Sequence, residues 1–347
     1  MARFKLRTAE GMDIRDAVLD TSNIIPLQLN GYAPQVDADG DAYARKGGYA
    51  LSIKLIKRGS KAMCLRCWMN GMVNESQIDY LVDVANLIKK NTDKECTYFI
   101  DFNIVERLLR VEGVELPGLL MDWIEGDTLC KYVMKNSGYS SQQIKAVAQK
   151  FAKMCDVFNK RNISHGDLSS VNIIIKPDGS LKLIDYDSLY SPSMGRKSQF
   201  IAGTADYQHP GRKSHPYYEA YTDYFSQHVI YTALLMMAED SSLRPDKELK
   251  NLLFYETDLA NANAFRQSDI VKRGRRIGNA EITKELDLME RALASSFSSV
   301  PKLSVTTQSS PSSYYVNYCT ACGNKFQNGL GLAFCTACGA KRHVYRE

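Results

Sequence analysis

Between residues 140 and 185 the apolar positions change period twice. Ile144, Val147, Ala148, Phe151, Met154, Cys155 and Phe158 recur every three or four residues, the spacing of one buried helix face. Ser140 or Ser141 stands where that helix needs an N-cap. Ile173-Ile174-Ile175-Lys176 is β-branched and strand-like, and residues 181–184 alternate apolar with polar. Between them, Pro177-Asp178-Gly179-Ser180 is a turn, because Pro presets φ and Gly accepts φ > 0. The pattern predicts helix, loop, hairpin, loop. Upstream, residues 50–54 and 62–68 read as strands. Ile78, Leu81, Val82, Ala85 and Ile88 mark a helix that Asn74 caps. Downstream, Asp223-Tyr224-Phe225-Ser226 leads into an apolar helix with Val229, Ile230, Ala233, Leu234 and Met237. Residues 1–30 read as a lead-in with a short helix near Asp13 to Leu19.

Composition changes this picture at the ends. The chain has 347 residues, enough for two domains, with 44% hydrophobic and 24% charged residues, ordinary for a soluble protein. No apolar run reaches the roughly 18 residues that span a membrane. The basic start is followed by no apolar signal core, so a cytoplasmic location and no membrane partner are expected. The net charge of +5 suits nucleotide and nucleic acid equally. Residues 295–313 turn to Ser, Thr and Pro and read as a linker. Nine cysteines are present, four of them beyond that stretch. Cys155 lies on the apolar helix face. Cys64 and Cys67 form a C-x-x-C on a strand, where residues three apart face opposite sides, which argues against a shared metal or redox role.

The candidate chemistry sits in the predicted loops. His165-Gly166-Asp167-Leu168-Ser169-Ser170-Val171-Asn172 carries a carboxylate and an amide five positions apart, and Asp185 follows in Leu181-Lys182-Leu183-Ile184-Asp185-Tyr186-Asp187. Phosphoryl transfer needs such a set: one carboxylate to orient the attacking hydroxyl, and an Asn and an Asp to hold metal ions. The stretch resembles the catalytic loop and metal-binding segment of the protein kinase family, H-x-D-x-x-x-x-N followed by D-F-G. The resemblance implies ATP and Mg²⁺ as cofactors, Asp167 as the base, and Asn172 and Asp185 as Mg²⁺ ligands.

Other segments match that family with departures. Arg45-Lys46-Gly47-Gly48-Tyr49-Ala50 sits where the family has its Gly-rich phosphate loop, but only Gly47 falls on a glycine position, with Arg45 and Ala50 on the other two. The resemblance makes Gly47, Gly48 and Tyr49 the nucleotide-covering loop. The resemblance puts the strand cation that pairs the phosphates at Arg66 in residues 62–68, in preference to the alternative Lys54, which lies too near the loop. Arg brings a planar fork in place of a compact ammonium. Glu75, Asp79 and Asp83 are all candidates for the regulatory-helix acid that pairs Arg66. Leu119-Leu120-Met121-Asp122-Trp123-Ile124 resembles the hinge, with Met121 as gatekeeper and Asp122, Trp123 and Ile124 offering backbone groups to adenine. Gly203-Thr204-Ala205-Asp206-Tyr207-Gln208-His209-Pro210 resembles the end of an activation segment, whose final Glu is here Gly211.

Gly166 replaces the Arg that normally answers a phosphate on the activation segment, which argues against activation by loop phosphorylation. Ser169 replaces a lysine, and Asp187, in the third position of D-F-G, either adds a metal carboxylate or faces solvent. With these departures the chain resembles a divergent, bacterial-looking member of the eukaryotic-type serine/threonine kinases. The rival readings are a pseudokinase scaffold that binds a partner protein, and a small-molecule kinase of aminoglycoside phosphotransferase type.

Cys319-Thr320-Ala321-Cys322-Gly323 repeats as Cys335-Thr336-Ala337-Cys338-Gly339. Four thiolates at this spacing suit tetrahedral Zn²⁺ with no open position. The unit resembles a zinc ribbon, with Phe326 and Phe334 packed beneath the metal, and implies Zn²⁺ and a docking role toward protein. Lys341, Arg342, His343 and Arg346 would suit nucleic-acid phosphate as well. The expected class is therefore α+β, a two-lobed protein-kinase-like fold plus a small C-terminal four-cysteine zinc ribbon. Residues 31–295 form the kinase-like domain (small lobe about 31–123, large lobe about 124–295), 296–316 the linker and 317–347 the ribbon.

Overall fold

A computed structural model of the chain describes residues 7–47, 50–69, 75–249 and 251–304, and the backbone of residues 314–315 and 344–345; nothing is described for the Glu75 side chain. The N-terminal lobe runs α1 (Gly11–Ala17), β1 (Ala33–Pro34), β2 (Ala44–Lys46), β3 (Ala50–Ile56), β4 (Met63–Trp68), α2 (Glu75–Asn91), β5 (Phe102–Val111) and β6 (Val114–Asp122). Its strands pair antiparallel in the order β1-β3-β4-β6-β5, with β2 on β3. Period-two alternation sorts the side chains. Ile53, Leu55, Leu65, Cys67, Leu116 and Leu120 face one core, leaving Cys64, Arg66 and Trp68 to the other face of β4.

That core is closed by residues 11–29. Ile14 and Val18 are fully buried in it, Leu29 joins them, and the Ile25 N–H donates to Leu108 O at 3.2 Å. Residues 1–30 were expected to be a lead-in; from α1 onward their described part is a layer of the small lobe. Each such burial contributes roughly 1.5–3 kcal/mol.

The large lobe follows with β7 (Asp127–Thr128), α3 (Leu129–Tyr132), α4 (Ser141–Arg161), β8 (Ile173–Ile175), β9 (Leu181–Leu183), α5 (Tyr224–Glu239), α6 (Ala262–Gln267), α7 (Asp269–Arg276) and α8 (Ala280–Leu293). Ser140 caps α4 in a capping box: its Oγ accepts the Gln143 N–H at 3.2 Å and its own N–H donates to Gln143 Oε1 at 2.9 Å. All seven predicted apolar positions of α4 are buried, and the helix packs against α5, whose residues 224–237 are all buried. The hairpin of β8 and β9 turns at residues 176–180, with the Lys176 N–H on Ser180 O at 2.9 Å and Gly179 at φ +74°. The N-cap expected for α2, Asn74, lies outside the described residues.

The Ser-rich stretch does not begin a linker at 296. Phe297, Val300 and Leu303 are buried, and the Phe297 ring lies 5.9 Å from His209 and 5.2 Å from Tyr221. Buried His228 contacts Glu285 Oε2 at 2.6 Å and Pro301 O at 3.1 Å, and Lys302 donates to Asn159 O at 3.1 Å. Serines between three apolar residues spaced by three masked a segment that packs on the lobe. Residues 304–347 form a second unit. There Tyr314 pairs with Tyr345 and Tyr315 with Val344, antiparallel, while Cys319, Cys322, Cys335 and Cys338 lie outside the described residues. Among the described residues no helix is long and apolar enough to cross a membrane.

Phe297→Ala should lower unfolding free energy by about 3 kcal/mol in a denaturant titration, the cost of emptying an aromatic site. Ser298→Ala, at an exposed position one residue on, should change it by less than about 0.5 kcal/mol.

Candidate active site

The loop at 165–172 is held from below. Asp223, just ahead of α5, is buried, and its carboxylate accepts the N–H groups of His165 and of Gly166, the latter at 3.0 Å. His165 Nε2 lies 2.9 Å from Ile184 O, a pure acceptor, so the ring proton is assigned to Nε2, and Nδ1 accepts the Asp167 N–H at 3.3 Å. This aims Asp167 outward. Its Oδ1 accepts both the N–H (2.7 Å) and the hydroxyl (3.0 Å) of Thr204. Asn172 Nδ2 donates to Asp167 O at 2.8 Å and to Oδ2 at 3.2 Å, and Asn172 O accepts the Ile184 N–H at 3.0 Å. Asn172 therefore ties the loop to the strand end that carries Asp185.

Arg66 reaches the same place from β4. Its Nη2 donates to Asp185 Oδ1 at 2.8 Å and to Asp187 Oδ2 at 2.9 Å, with the guanidinium almost fully buried. Burial opposes the charge on Asp185, but Arg66 outweighs it and holds that carboxyl below its ordinary range. Burial pushes Asp187 the other way, above its ordinary range, against the pull of Arg66 and with repulsion from Asp185. Two carboxylates on one nitrogen thus share their protons unequally.

Two of the three helix acids, Asp79 and Asp83, go elsewhere. Asp83 binds Lys197 at 2.6 Å, and Asp79 is exposed. Lys54, the other basic candidate, pairs Glu125 at 2.5 Å and lies 5.6 Å from the Trp123 ring. Asp187, read as a metal ligand or a solvent-facing acid, does not face solvent: it is turned onto Arg66.

Gly166 now has a steric reason. Its φ is +79°, and a Cβ there would collide with the Ser188 carbonyl oxygen. Ser169, in the position of the family's lysine, is fully buried and its hydroxyl has no partner among the described residues. In the phosphate-loop region β2 and β3 close a tight hairpin, with the Gly47 N–H on Ala50 O at 2.9 Å; Gly48 and Tyr49 lie outside the described residues. At the hinge, Met121 pairs with Cys64 across the sheet. The Trp123 N–H is taken by Ala62 O at 3.0 Å and its ring by Tyr43 (5.9 Å) and Arg45 (5.2 Å), so Trp123 does not offer adenine a donor. Asp122 and Ile124 remain for that contact. A cavity of about 730 Å³ opens beside the hinge, lined by Met63, Phe99, Ile100, Pro177 and Lys182, but Arg66, Asp167, Asn172 and Asp185 do not border it. Burial pushes the Cys64 and Cys67 thiols up to about 11 and about 12, as for inert core cysteines.

Sequence reasoning quoted Thr204 only as part of a motif; its double grip on Asp167 needed the fold. Among the described residues no group of three or more His, Cys, Asp or Glu is arranged to hold a metal. That composition still suits Mg²⁺, which takes one or two carboxylates plus phosphate oxygens. Asp185 offers a carboxylate, and Asn172, whose Nδ2 is engaged, has its amide oxygen to offer.

The family model for the protein kinase domain matches residues 84–290, more than half of the chain, beginning after the hairpin of β2 and β3 and after Arg66. Sperm motility kinase 2B of Mus musculus is 23% identical over 167 residues, 48% of this chain and 30% of that protein. The probable serine/threonine-protein kinase mkcD of Dictyostelium discoideum is 26% identical over 165 residues, 47% of this chain and 25% of that protein. An Aurora kinase of Eremothecium gossypii is 29% identical over 92 residues, 26% of this chain and 25% of that protein. The matches span about a quarter to a third of these relatives. A buried Asp beneath the loop, a His-x-Asp-x-x-x-x-Asn loop on it and an Asp in the next turn agree with that match, and the chain belongs to the protein kinase domain family.

Proposed function

We propose that the chain is an ATP- and Mg²⁺-dependent serine/threonine protein kinase carrying a zinc-ribbon docking module. The observation that carries this reading is the grip on Asp167. Thr204 occupies Oδ1 with two hydrogen bonds, while Oδ2 has only the 3.2 Å contact from Asn172 among the described residues. Oδ2 is the atom with capacity to orient an acceptor hydroxyl and take its proton. ATP with Mg²⁺ supplies the phosphoryl group and neutralises its charge when bound. Asp185 and Asn172 would hold the metal, Arg66 would pair the phosphates, and backbone groups of Asp122 and Ile124 would meet adenine beneath Met121. The contact of Thr204 with Asp167 favours a protein kinase over a small-molecule kinase, because it comes from the segment that resembles an activation segment. That segment is ordered from within by Arg212, which donates to Gln199 Oε1 (3.0 Å), Gln208 Oε1 (2.5 Å) and Ile201 O (3.2 Å), so no phosphate is needed to order it.

A second reading, a pseudokinase scaffold, is favoured by the closed hairpin at Gly47 and by the family match beginning after Arg66. Asp167→Asn separates the two. For the enzyme, label transfer from ATP to a lysate or to the chain itself falls about a thousandfold, within the range for a lost general base, while the Mg²⁺-dependent thermal shift with ATP persists. No transfer by the unmodified chain, with no shift at millimolar ATP, would favour the scaffold.

For the C-terminal unit, Cys319, Cys322, Cys335 and Cys338 are proposed as a closed Zn²⁺ site whose binding supplies the unit's folding energy. Elemental analysis should find one Zn²⁺ per chain, lost in Cys338→Ser without change in the kinase-domain melting transition. Four cysteines oxidised to two disulfides in freshly purified protein would exclude the metal.

A further inference from the structure

We infer that Asp187, rather than Asp79 or Asp83 of α2, is the positioning residue that aims Arg66 at the nucleotide phosphates. The inference rests on reading the cleft as an ATP site. Arg66 carries a long side chain, and its guanidinium addresses a phosphate only if something fixes its orientation. Nη2 is fixed twice, by Asp185 at 2.8 Å and by Asp187 at 2.9 Å. Asp185 is also the proposed metal ligand, so once a cation draws on that carboxylate the lasting anchor is Asp187. Arg66 Nε has no partner among the described residues, and the contacts described for the guanidinium are those of Nη2.

Helix α2 spends its contacts on another target. The Tyr80 hydroxyl donates to Leu189 O at 2.8 Å, and its ring packs edge-on against Phe200 at 5.7 Å. Asp83 binds Lys197 at 2.6 Å, and Asp79 faces solvent. The helix is thus fastened to the chain that follows the 185–187 turn, while the turn itself holds the cation. Asp185, at φ +66°, makes the turn that brings both carboxylates to Arg66. In this arrangement one three-residue loop places the metal ligand and the phosphate cation together.

The test compares Asp187→Asn and Asp187→Glu with Asp79→Asn and Asp83→Asn. Each is read by ADP affinity with and without Mg²⁺ in calorimetry and by KM for ATP against kcat. Asp187→Asn should weaken ADP binding in the absence of Mg²⁺ and raise KM by about tenfold, the order of one lost charge-assisted contact. Asp187→Glu should restore most of the loss, and the two helix variants should stay within about twofold of the unmodified chain. A double-mutant cycle of Arg66→Met and Asp187→Asn, read by chemical unfolding without nucleotide, should be non-additive, the double variant being no less stable than the weaker single one. Helix variants that match Asp187→Asn, or an additive cycle, would overturn the inference. If the unmodified chain binds no nucleotide, the ATP reading fails, and the unfolding cycle still decides which residue holds Arg66.

Discussion

Asp223 is 1% exposed, and its two oxygens accept the N–H groups of His165 and Gly166. Burial raises its carboxyl above the ordinary range, with His165 and Arg212 pulling the other way, so this acid is held in place at a desolvation cost. Hydrogen bonds to a charged group contribute about 1.5–3 kcal/mol each and offset that cost only if both donors stay aligned. The requirement propagates. With His165 fixed, its ring bridges Ile184 O and the Asp167 N–H; with Asp167 fixed, Asn172 reaches it and takes the Ile184 N–H on its own carbonyl. The functional groups are therefore indexed to α5, which is buried from residue 224 to residue 237.

The second support comes from the activation segment. Arg212 is fully buried yet bonded to neutral oxygens, those of Gln199, Gln208 and Ile201. Burial lowers its affinity for the proton, and Asp223 and Asp167 supply the compensating field. A Cβ at Gly203 would press on this guanidinium at 2.9 Å and on the Gly166 carbonyl at 3.0 Å, so the bare backbone at 203 lets the segment close over the loop. Thr204, the next residue, then has both donors on Asp167.

What could be read in the sequence follows the distance over which each contact acts. The apolar face of α4, its Ser140 cap and the turn at 177–180 are set by neighbours a few residues apart, and period and turn chemistry report them directly. The run from His165 to Asn172 is a local spacing, and its meaning came from resemblance. The partner of Arg66 is a different kind of fact. It lies 119 and 121 residues away, and three acids on α2 had the same local credentials as Asp187. The core role of Ile14, Val18 and Leu29 and the packing of Phe297, Val300 and Leu303 failed to show for a related reason. Sparse apolar residues in a polar stretch read as solvent-facing until the surface that covers them is known.

Seen in the fold, the departures from the family pattern are not independent losses. With Asp187 turned toward Arg66, the next peptide places the Ser188 carbonyl against residue 166, and the Ser188 hydroxyl donates to His165 O at 3.2 Å. Only glycine fits that approach, so the arginine common at this position is sterically excluded. Arg212, next to Gly211, ties residues 199–208 together through Gln199, Gln208 and Ile201. Of the described side chains of α2, Tyr80 donates to Leu189 O and Asp83 binds Lys197, while Arg66 is held by the loop. The turn at 185–188 thus links two of the departures, Asp187 on Arg66 and the bare backbone at Gly166. Ser169 and the short hairpin at Gly47 fall outside this chain of cause, and nothing in the structure explains them.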